Sequence, residues 1–268
     1  MTTFTRAEFL RLSVFSFGSI LVLAACGSSP TSTSTGTPTT NSKQKLTVGT
    51  EGTYPPFSFK DLSSGDLAGY DVDVAKEVAK RLGREIEFVP TQWKSMLASL
   101  DAKRFDFVAN QVSVTSEREK QYAFSEPYTV SGAVVIVSNE NPKHIQGIAT
   151  LKGNTVGTTQ GSNFAEYAKK AGANIKFYQG IAQVLSDLEQ NRIDAAINDR
   201  LYVLTEFKKT RYKVKAVGAP FDKSTSAFAF CKDNTQLQND VNRALSEMKK
   251  DSTLANISKK WFGENVSH

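Results

Sequence analysis

Cysteine and histidine are nearly missing from this chain: Cys26 and Cys231, His144 and His268 are all there are in 268 residues. That scarcity excludes a disulfide-rich scaffold and a Cys/His metal cluster, and there is no GxSxG elbow for a nucleophilic serine. Nucleophilic and metal catalysis have little to work with, and neither a metal nor a cofactor is expected. Also missing is an apolar run of the roughly 20 residues that a membrane-spanning helix needs. Clusters of basic residues interleaved with aromatics are absent too. The formal charge of +6 is spread through helical patterns such as AEYAKKAG and NRALSEMKK, so no nucleic-acid partner is expected. The net positive charge also suits attraction to an anionic membrane surface. With 40% hydrophobic and 22% charged residues, the composition is that of one large or two smaller globular domains.

The amino terminus stands apart. Arg6 and Arg11 precede LSVFSFGSILVLAA, and the segment reads as a signal peptide over residues 1–25. Leu23, Ala24, Ala25 and Cys26, followed by Gly27 and Ser28, resemble the lipobox of bacterial lipoproteins, which implies cleavage before Cys26 and lipidation of its thiol. TRAEFL only partly resembles a twin-arginine signal, because Ala7 occupies the second arginine's place, so the general secretory route is expected. GSSPTSTSTGTPTTNS then offers nothing apolar to bury, so residues 26–44 read as a lipidated cysteine and a flexible tether. The folded part is therefore expected outside the cell membrane or in the periplasm, anchored by lipid. Cys231, in SAFAFCKD, is left without a disulfide partner and reads as a small core side chain.

Two stretches of the remaining chain echo each other. KLTVGTEGTY is matched by NTVGTTQGSN, and RFDFVAN (104–110) by RIDAAIN (192–198). Each half thus enters a polar loop after VGT and returns through an R(F/I)D turn into a short apolar strand ending in Asn. Helical patterns lie between: DVDVAKEVAKRLG, with Asp71 as N-cap and Gly83 at the C-terminal end, then WKSMLASLDAKR and IAQVLSDLEQNR. Strands alternating with helices imply parallel sheet. The first half is the longer, and PFSFKDLSSGDLAGYD accounts for the excess as an inserted β-hairpin. The closing strand and two helices (TSAFAFCKD, NDVNRALSEMKK, LANISKKWFG) should return to the first lobe. The expected fold is α/β with two lobes, 45–131 plus 222–268 and 132–221, joined by two hinge crossovers near YTVSGAVVIV and APFDKSTSAFAF.

Ligands of open parallel sheets bind beyond the carboxyl ends of the strands. Here those ends carry TEGTY, NQVSVTSER, TTQGSN and NDR. Arg118 taken alone reads first as a solvated surface charge, yet it also offers planar bidentate donors for a carboxylate. Gly161, Ser162 and Asn163 open a helix whose free N–H groups favour an anion. Asp199 could hold an ammonium, while Ser162 and Asp199 singly also suit plain helix caps. Tyr54, Phe57 and Trp93 read either as cleft walls or as packing. Taken together, receptors for a carboxylate and an ammonium describe a free α-amino acid.

The segments GTEGTYPPFSF, GYDVDVAKEVAKRLG, FDFVANQVSVTSER, FSEPY, GTTQGSN and RIDAAIND resemble the solute-binding proteins of polar amino-acid ABC transporters (family 3), over nearly all of 46–263. That resemblance implies a two-lobed periplasmic-binding-protein fold (type II), not an enzyme, that closes on its ligand as a monomer and delivers it to a permease with an ATPase. It implies that Arg118 pairs the ligand carboxylate with help from the backbone of Ser113 and Ser162, and that Asp199 receives the ammonium. Tyr54 and Trp93 would flank the ligand side chain, and Glu51 would meet a side-chain cation. Asn110 and Gln111 depart from the small residues many members place there. EGTYPPF, TQW and NQVSVTSER are similar to the cystine-binding branch, in which Glu51, Asn110 and Gln111 would serve the second amino-acid head. Glutamine, or a basic amino acid drawn by Glu51, are the alternative ligands, and a cyclohexadienyl-dehydratase-like enzyme is the alternative of another class.

Overall fold

Leu46 and Val48, both fully buried, set the first strand, β1 (Leu46–Thr50). The computed structural model describes residues 45–207 and 212–267. The signal segment, Cys26 and the tether to 44 lie outside them. After β1 come β2 (Thr53–Tyr54), β3 (Ser58–Lys60) and β4 (Leu67–Ala68), a small antiparallel sheet where the SSGD hairpin is expected. The first half continues with α1 (Tyr70–Arg81), β5 (Ile86–Pro90), α2 (Trp93–Asp101), β6 (Phe107–Ser113), α3 (Ser116–Glu119) and β7 (Tyr122–Phe124).

Strand β8 (Thr129–Ser138) leads into the second half: β9 (Thr155–Thr159), α4 (Asn163–Lys170), β10 (Asn174–Tyr178), α5 (Ile181–Glu189), β11 (Ala195–Asp199) and α6 (Arg200–Glu206). The long β12 (Val214–Cys231) returns, and α7 (Thr235–Lys250) and α8 (Thr253–Phe262) pack back on α1. The main sheet runs β10-β9-β11-β8-β12-β6-β1-β5, with β7 also on β12. Both outer groups are parallel, while β8 and β12 are antiparallel to each other at the junction. The α/β architecture, the two crossover strands and the returning tail are those expected. The ladder between β8 and β12 is interrupted between Val217 and Ser224, opposite Ser131 to Val135. There Gly132 sits so close to Phe221 that an added Cβ would lie 3.2 Å from its carbonyl oxygen.

The two sequence echoes share one physical cause. In the first half Asp106 Oδ2 accepts from Thr47 N–H (2.8 Å) and hydroxyl (2.9 Å), tying the RFD turn to the start of β1. In the second half Asp194 Oδ2 accepts from Thr155 N–H (2.7 Å) at the start of β9. The middle residue of each turn then covers the glycine of each VGT. A Cβ on Gly49 would lie 2.5 Å from the Phe105 ring, and one on Gly157 would lie 2.6 Å from Ile193 Cδ1. Each R(F/I)D is thus a clamp and a lid for its own VGT strand, which fixes where that strand's carboxyl end points.

Two local expectations need correcting. Asp71 is not the N-cap of α1; the helix starts two residues earlier than such a cap implies, after Gly69. Gly69 has φ 133° and ψ 171°, which lets Pro56 and Phe57 carbonyls accept from the Tyr70 and Asp71 N–H groups, both at 2.9 Å. Hairpin backbone therefore does the capping, and the Asp71 side chain is free to be buried. Cys231 is half-buried rather than in the core, with Sγ 3.1 Å from the Leu100 carbonyl. Gly83, at φ 64°, follows the last turn of α1 in the place expected.

The clamps carry a prediction. Asp106→Ala and Asp194→Ala each remove a charge-assisted bond to a strand N–H, which is worth about 1.5–3 kcal/mol. Each should lower the urea unfolding midpoint, and because they lie in different halves the losses should add in the double variant. An unchanged midpoint in either would contradict the clamp.

Candidate ligand-binding site

Four strand ends converge: β1 on Glu51, β6 on Asn110 through Ser113, β9 on Thr159, and β11 on Asn198 and Asp199. Between them lies a cavity of about 50 Å³, room for only a few water molecules. Of the residues expected there, Glu51, Tyr54, Trp93, Asn110, Ser162 and Asn163 line it. Thr53, Thr159 and Asn198 also line it; they belong to the polar loops read from the sequence but were not singled out. Phe164 and Ile181, on α4 and α5, complete the wall. Nothing in the sequence distinguishes those two from ordinary helix packing.

Arg118 is held by its own loop. Thr115 caps α3 by accepting from the Arg118 N–H (3.3 Å), and Nη1 donates to the Ser113 carbonyl (3.0 Å). Nη2 reaches the Gly161 carbonyl (3.4 Å) in the other half, and the guanidinium lies 5.2 Å from the Trp93 ring centroid. Burial lowers its pKa to about 10, so it remains a cation at neutral pH. Among the described residues no carboxylate forms an ion pair with it. Ser113, 7% exposed, contributes its backbone here and does not itself line the cavity.

Across the cleft, Gly161 (φ 79°) turns the chain into α4. Ser162 stands at the N-cap without capping: its hydroxyl makes no bond to the helix, and Oγ is buried with no hydrogen-bond partner. Asp199 does act as a cap. Its Oδ1 accepts from Leu201 N–H and from the Ser131 hydroxyl, both at 2.7 Å, and it sits beside the cavity wall rather than in it. Burial raises its pKa to about 6.

Glu51 and Asn110 form a reciprocal pair. Glu51 N–H donates to Asn110 Oδ1 and Asn110 Nδ2 donates to Glu51 Oε2, each at 2.8 Å. Burial raises the Glu51 pKa, against the lowering effect of Asn110 and of the Trp93 backbone. Tyr54 reaches the other half, its hydroxyl donating to Asn198 Oδ1 at 2.6 Å. Phe57 is fully buried, 5.8 Å from Phe262, and is packing rather than cleft wall.

Gln111 is not brought to the cavity. Successive strand residues face opposite sides, so with Asn110 in the cleft its neighbour turns away. At φ 48° it donates from Nε2 to Asp71 Oδ1 (2.6 Å) and the Thr129 hydroxyl (3.1 Å). Tyr128 also donates to Asp71 Oδ1 (2.9 Å), while Asp71 Oδ2 and Gln111 Oε1 are buried without partners. Burial raises the Asp71 pKa to about 7, with Gln111 and Tyr128 opposing the rise.

A cleft between two parallel half-sheets joined by two strands, with a half-buried arginine that forms no ion pair among the described residues and an uncapped helix terminus facing each other, defines a two-lobed ligand-capture protein. The chain belongs to the bacterial extracellular solute-binding proteins, family 3, whose pattern matches residues 46–264. The L-cystine-binding protein TcyA of Bacillus subtilis (strain 168) is 45% identical over 264 residues, covering 96% of this chain and 98% of its own. Among solved structures, an ancestral arginine-binding protein bound to glutamine superposes with a TM-score of 0.77 at 38% identity, covering 82% of this chain and 98% of that one. The L-cystine solute receptor of Neisseria gonorrhoeae in the unliganded open conformation superposes with 0.57 at 44% identity, covering 85% and 96%. These relatives are binding proteins, not enzymes. The more identical structure superposes less well, and the Tyr54–Asn198 and Arg118–Gly161 bonds bridge the cleft here, so this is the closed arrangement.

A pH dependence follows from the buried acids. A carboxyl raised from about 3.9 when unfolded to about 7 in the fold, as at Asp71, keeps its proton in the native state over that interval. Native protein then binds more protons than unfolded, so this group's stabilisation is complete below pH 4 and is lost as pH rises to about 7. Asp199 acts in the same direction up to about 6. The fall in thermal midpoint between pH 5 and 8 should be shallower in Asp71→Asn than in the wild type; an identical slope would mean that Asp71 is ionised throughout.

Proposed function

We propose that this chain captures a free amino acid, cystine, for an ABC importer, and that it does so as a monomer tethered through lipid on Cys26 at the outer face of the cell membrane or in the periplasm. The observation that carries the reading is Arg118: a cation at neutral pH, half-buried at the cleft, whose hydrogen bonds go to the neutral carbonyls of Ser113 and Gly161. A ligand α-carboxylate offers the bidentate, charged partner that these carbonyls are not. Ser162 Oγ, buried and unpartnered at the start of α4, suits the same anion, and Asp199 suits the ammonium. Cystine is favoured over glutamine by the similarity to TcyA and by the paired Glu51 and Asn110, which can receive a second amino-acid head. Trp93, Phe164 and Ile181 offer apolar surface to the disulfide between the heads.

In this reading the lobes are 45–131 with 222–268, and 132–221, turning about β8 and β12 where their ladder is interrupted. A cavity of about 50 Å³ admits such a guest only as the lobes part, so capture is binding to the open form followed by closure. The permease and its ATPase would then read the closed form.

Titration calorimetry of residues 43–268, refolded to strip carried-over ligand, should show tight binding of cystine and little heat with glutamine, arginine or histidine. Tight binding of a single amino acid instead would keep the capture reading and overturn cystine. Arg118→Ala should lose about 2–5 kcal/mol of binding, or about 30-fold or more. A folded variant that binds within threefold of the wild type would remove Arg118 from the site.

A further inference from the structure

We propose that Tyr202 is a positioning residue for capture: stacked on Tyr54 from across the cleft, it holds the two lobes closed and thereby sets how tightly the ligand is retained. The inference deepens the capture reading and rests on it for its effect on affinity.

Tyr54 belongs to the first lobe, on β2, yet its polar atom and one of its ring faces are engaged by the second. Its hydroxyl donates to Asn198 Oδ1 at 2.6 Å. Its ring lies 5.5 Å from Tyr202, centroid to centroid, at an interplanar angle of 20°, an offset stack. Within the first lobe, Tyr54 is 4.9 Å from Phe57, which is 5.8 Å from Phe262. The aromatic series Phe262, Phe57, Tyr54, Tyr202 therefore crosses between lobes at a single junction. Opening breaks that junction and no other in the series. It also exposes Tyr202, which is 2% exposed in the closed form.

Tyr202 is well placed to act through closure alone. It sits in the first turn of α6, whose start is fixed by the Asp199 cap, and it does not line the cavity. Asn198 and Tyr54 do line it, so the clasp couples the cavity wall to the lobe contact. The neighbouring Arg200–Glu264 pair, at 3.0 Å, also bridges the lobes, but its side chains are 35% and 47% exposed, so it adds little. One stacked aromatic pair and one hydrogen bond together shift a closed-to-open ratio by roughly 5- to 100-fold. Affinity moves with the closed population whenever that population limits binding.

The test compares wild type, Tyr202→Leu and Tyr202→Phe by small-angle X-ray scattering without ligand, and then by cystine affinity and dissociation rate. Tyr202→Leu should be more expanded without ligand, release cystine faster and bind it roughly 2- to 12-fold more weakly. Tyr202→Phe, which keeps the ring, should stay within twofold. Saturating cystine should bring all three to the same scattering profile. If Tyr202→Leu does not fold, Tyr54→Phe, which loses only the bond to Asn198, should show a smaller expansion. Ligand-free scattering that is unchanged in a folded Tyr202→Leu, or in Tyr54→Phe used in its place, overturns the clasp. The ligand-free arm stands even if cystine proves not to be the ligand, so failure of the clasp and failure of the cystine reading remain distinguishable.

Discussion

A half-buried guanidinium at the cleft, with no carboxylate paired to it among the described residues, is the constraint around which this molecule is arranged. Drawing such a charge partly away from water carries a cost that grows with its burial. Arg118 recovers part of that through the Ser113 and Gly161 carbonyls and the face of Trp93. These are neutral partners drawn from both sides of the cleft, so the cation keeps an unmet preference for an anion in the space where the lobes meet. The rest of the fold positions this one group. Clamps from Asp106 and Asp194 fix the VGT strands, those strands aim the loops, and the loops place Arg118 opposite the free terminus of α4.

The same design explains why buried acids gather along β8. Asp71 is held through Tyr128 and, by way of Gln111, neighbours Thr129; Asp199 is held through Ser131. The opening residues of one crossover strand thus tie a carboxyl of each half to the hinge. Burial raises both pKa values, Asp71 to about 7 and Asp199 to about 6, so near neutral pH Asp71 is shared between its two forms while Asp199 is mostly the carboxylate.

Much of this was legible in the sequence because it repeats. VGT and R(F/I)D recur since each half needs the same clamp, and the ends of those repeats mark the cleft. Arg118 was legible through its place after β6, and Glu51, Tyr54, Trp93, Asn110, Ser162 and Asn163 through the loops that carry them. What failed was side-chain direction. Gln111 follows Asn110, and strand alternation sends it to Asp71 instead of the ligand space. Asp71 looked like a cap because its residue type suits one, yet hairpin carbonyls had already satisfied the helix start. Phe164, Ile181 and Tyr202 could not be found, because their roles depend on which helix face meets the other lobe. That is a tertiary fact with no local signature.

The most direct test of the account is a crystal structure of the refolded protein grown with cystine. The account predicts one α-carboxylate in bidentate contact with the Arg118 guanidinium, beside the start of α4, with the second head against Glu51 and Asn110 and the lobes closed. A ligand whose carboxylate lies away from Arg118, leaving the guanidinium on the Ser113 and Gly161 carbonyls, would contradict it.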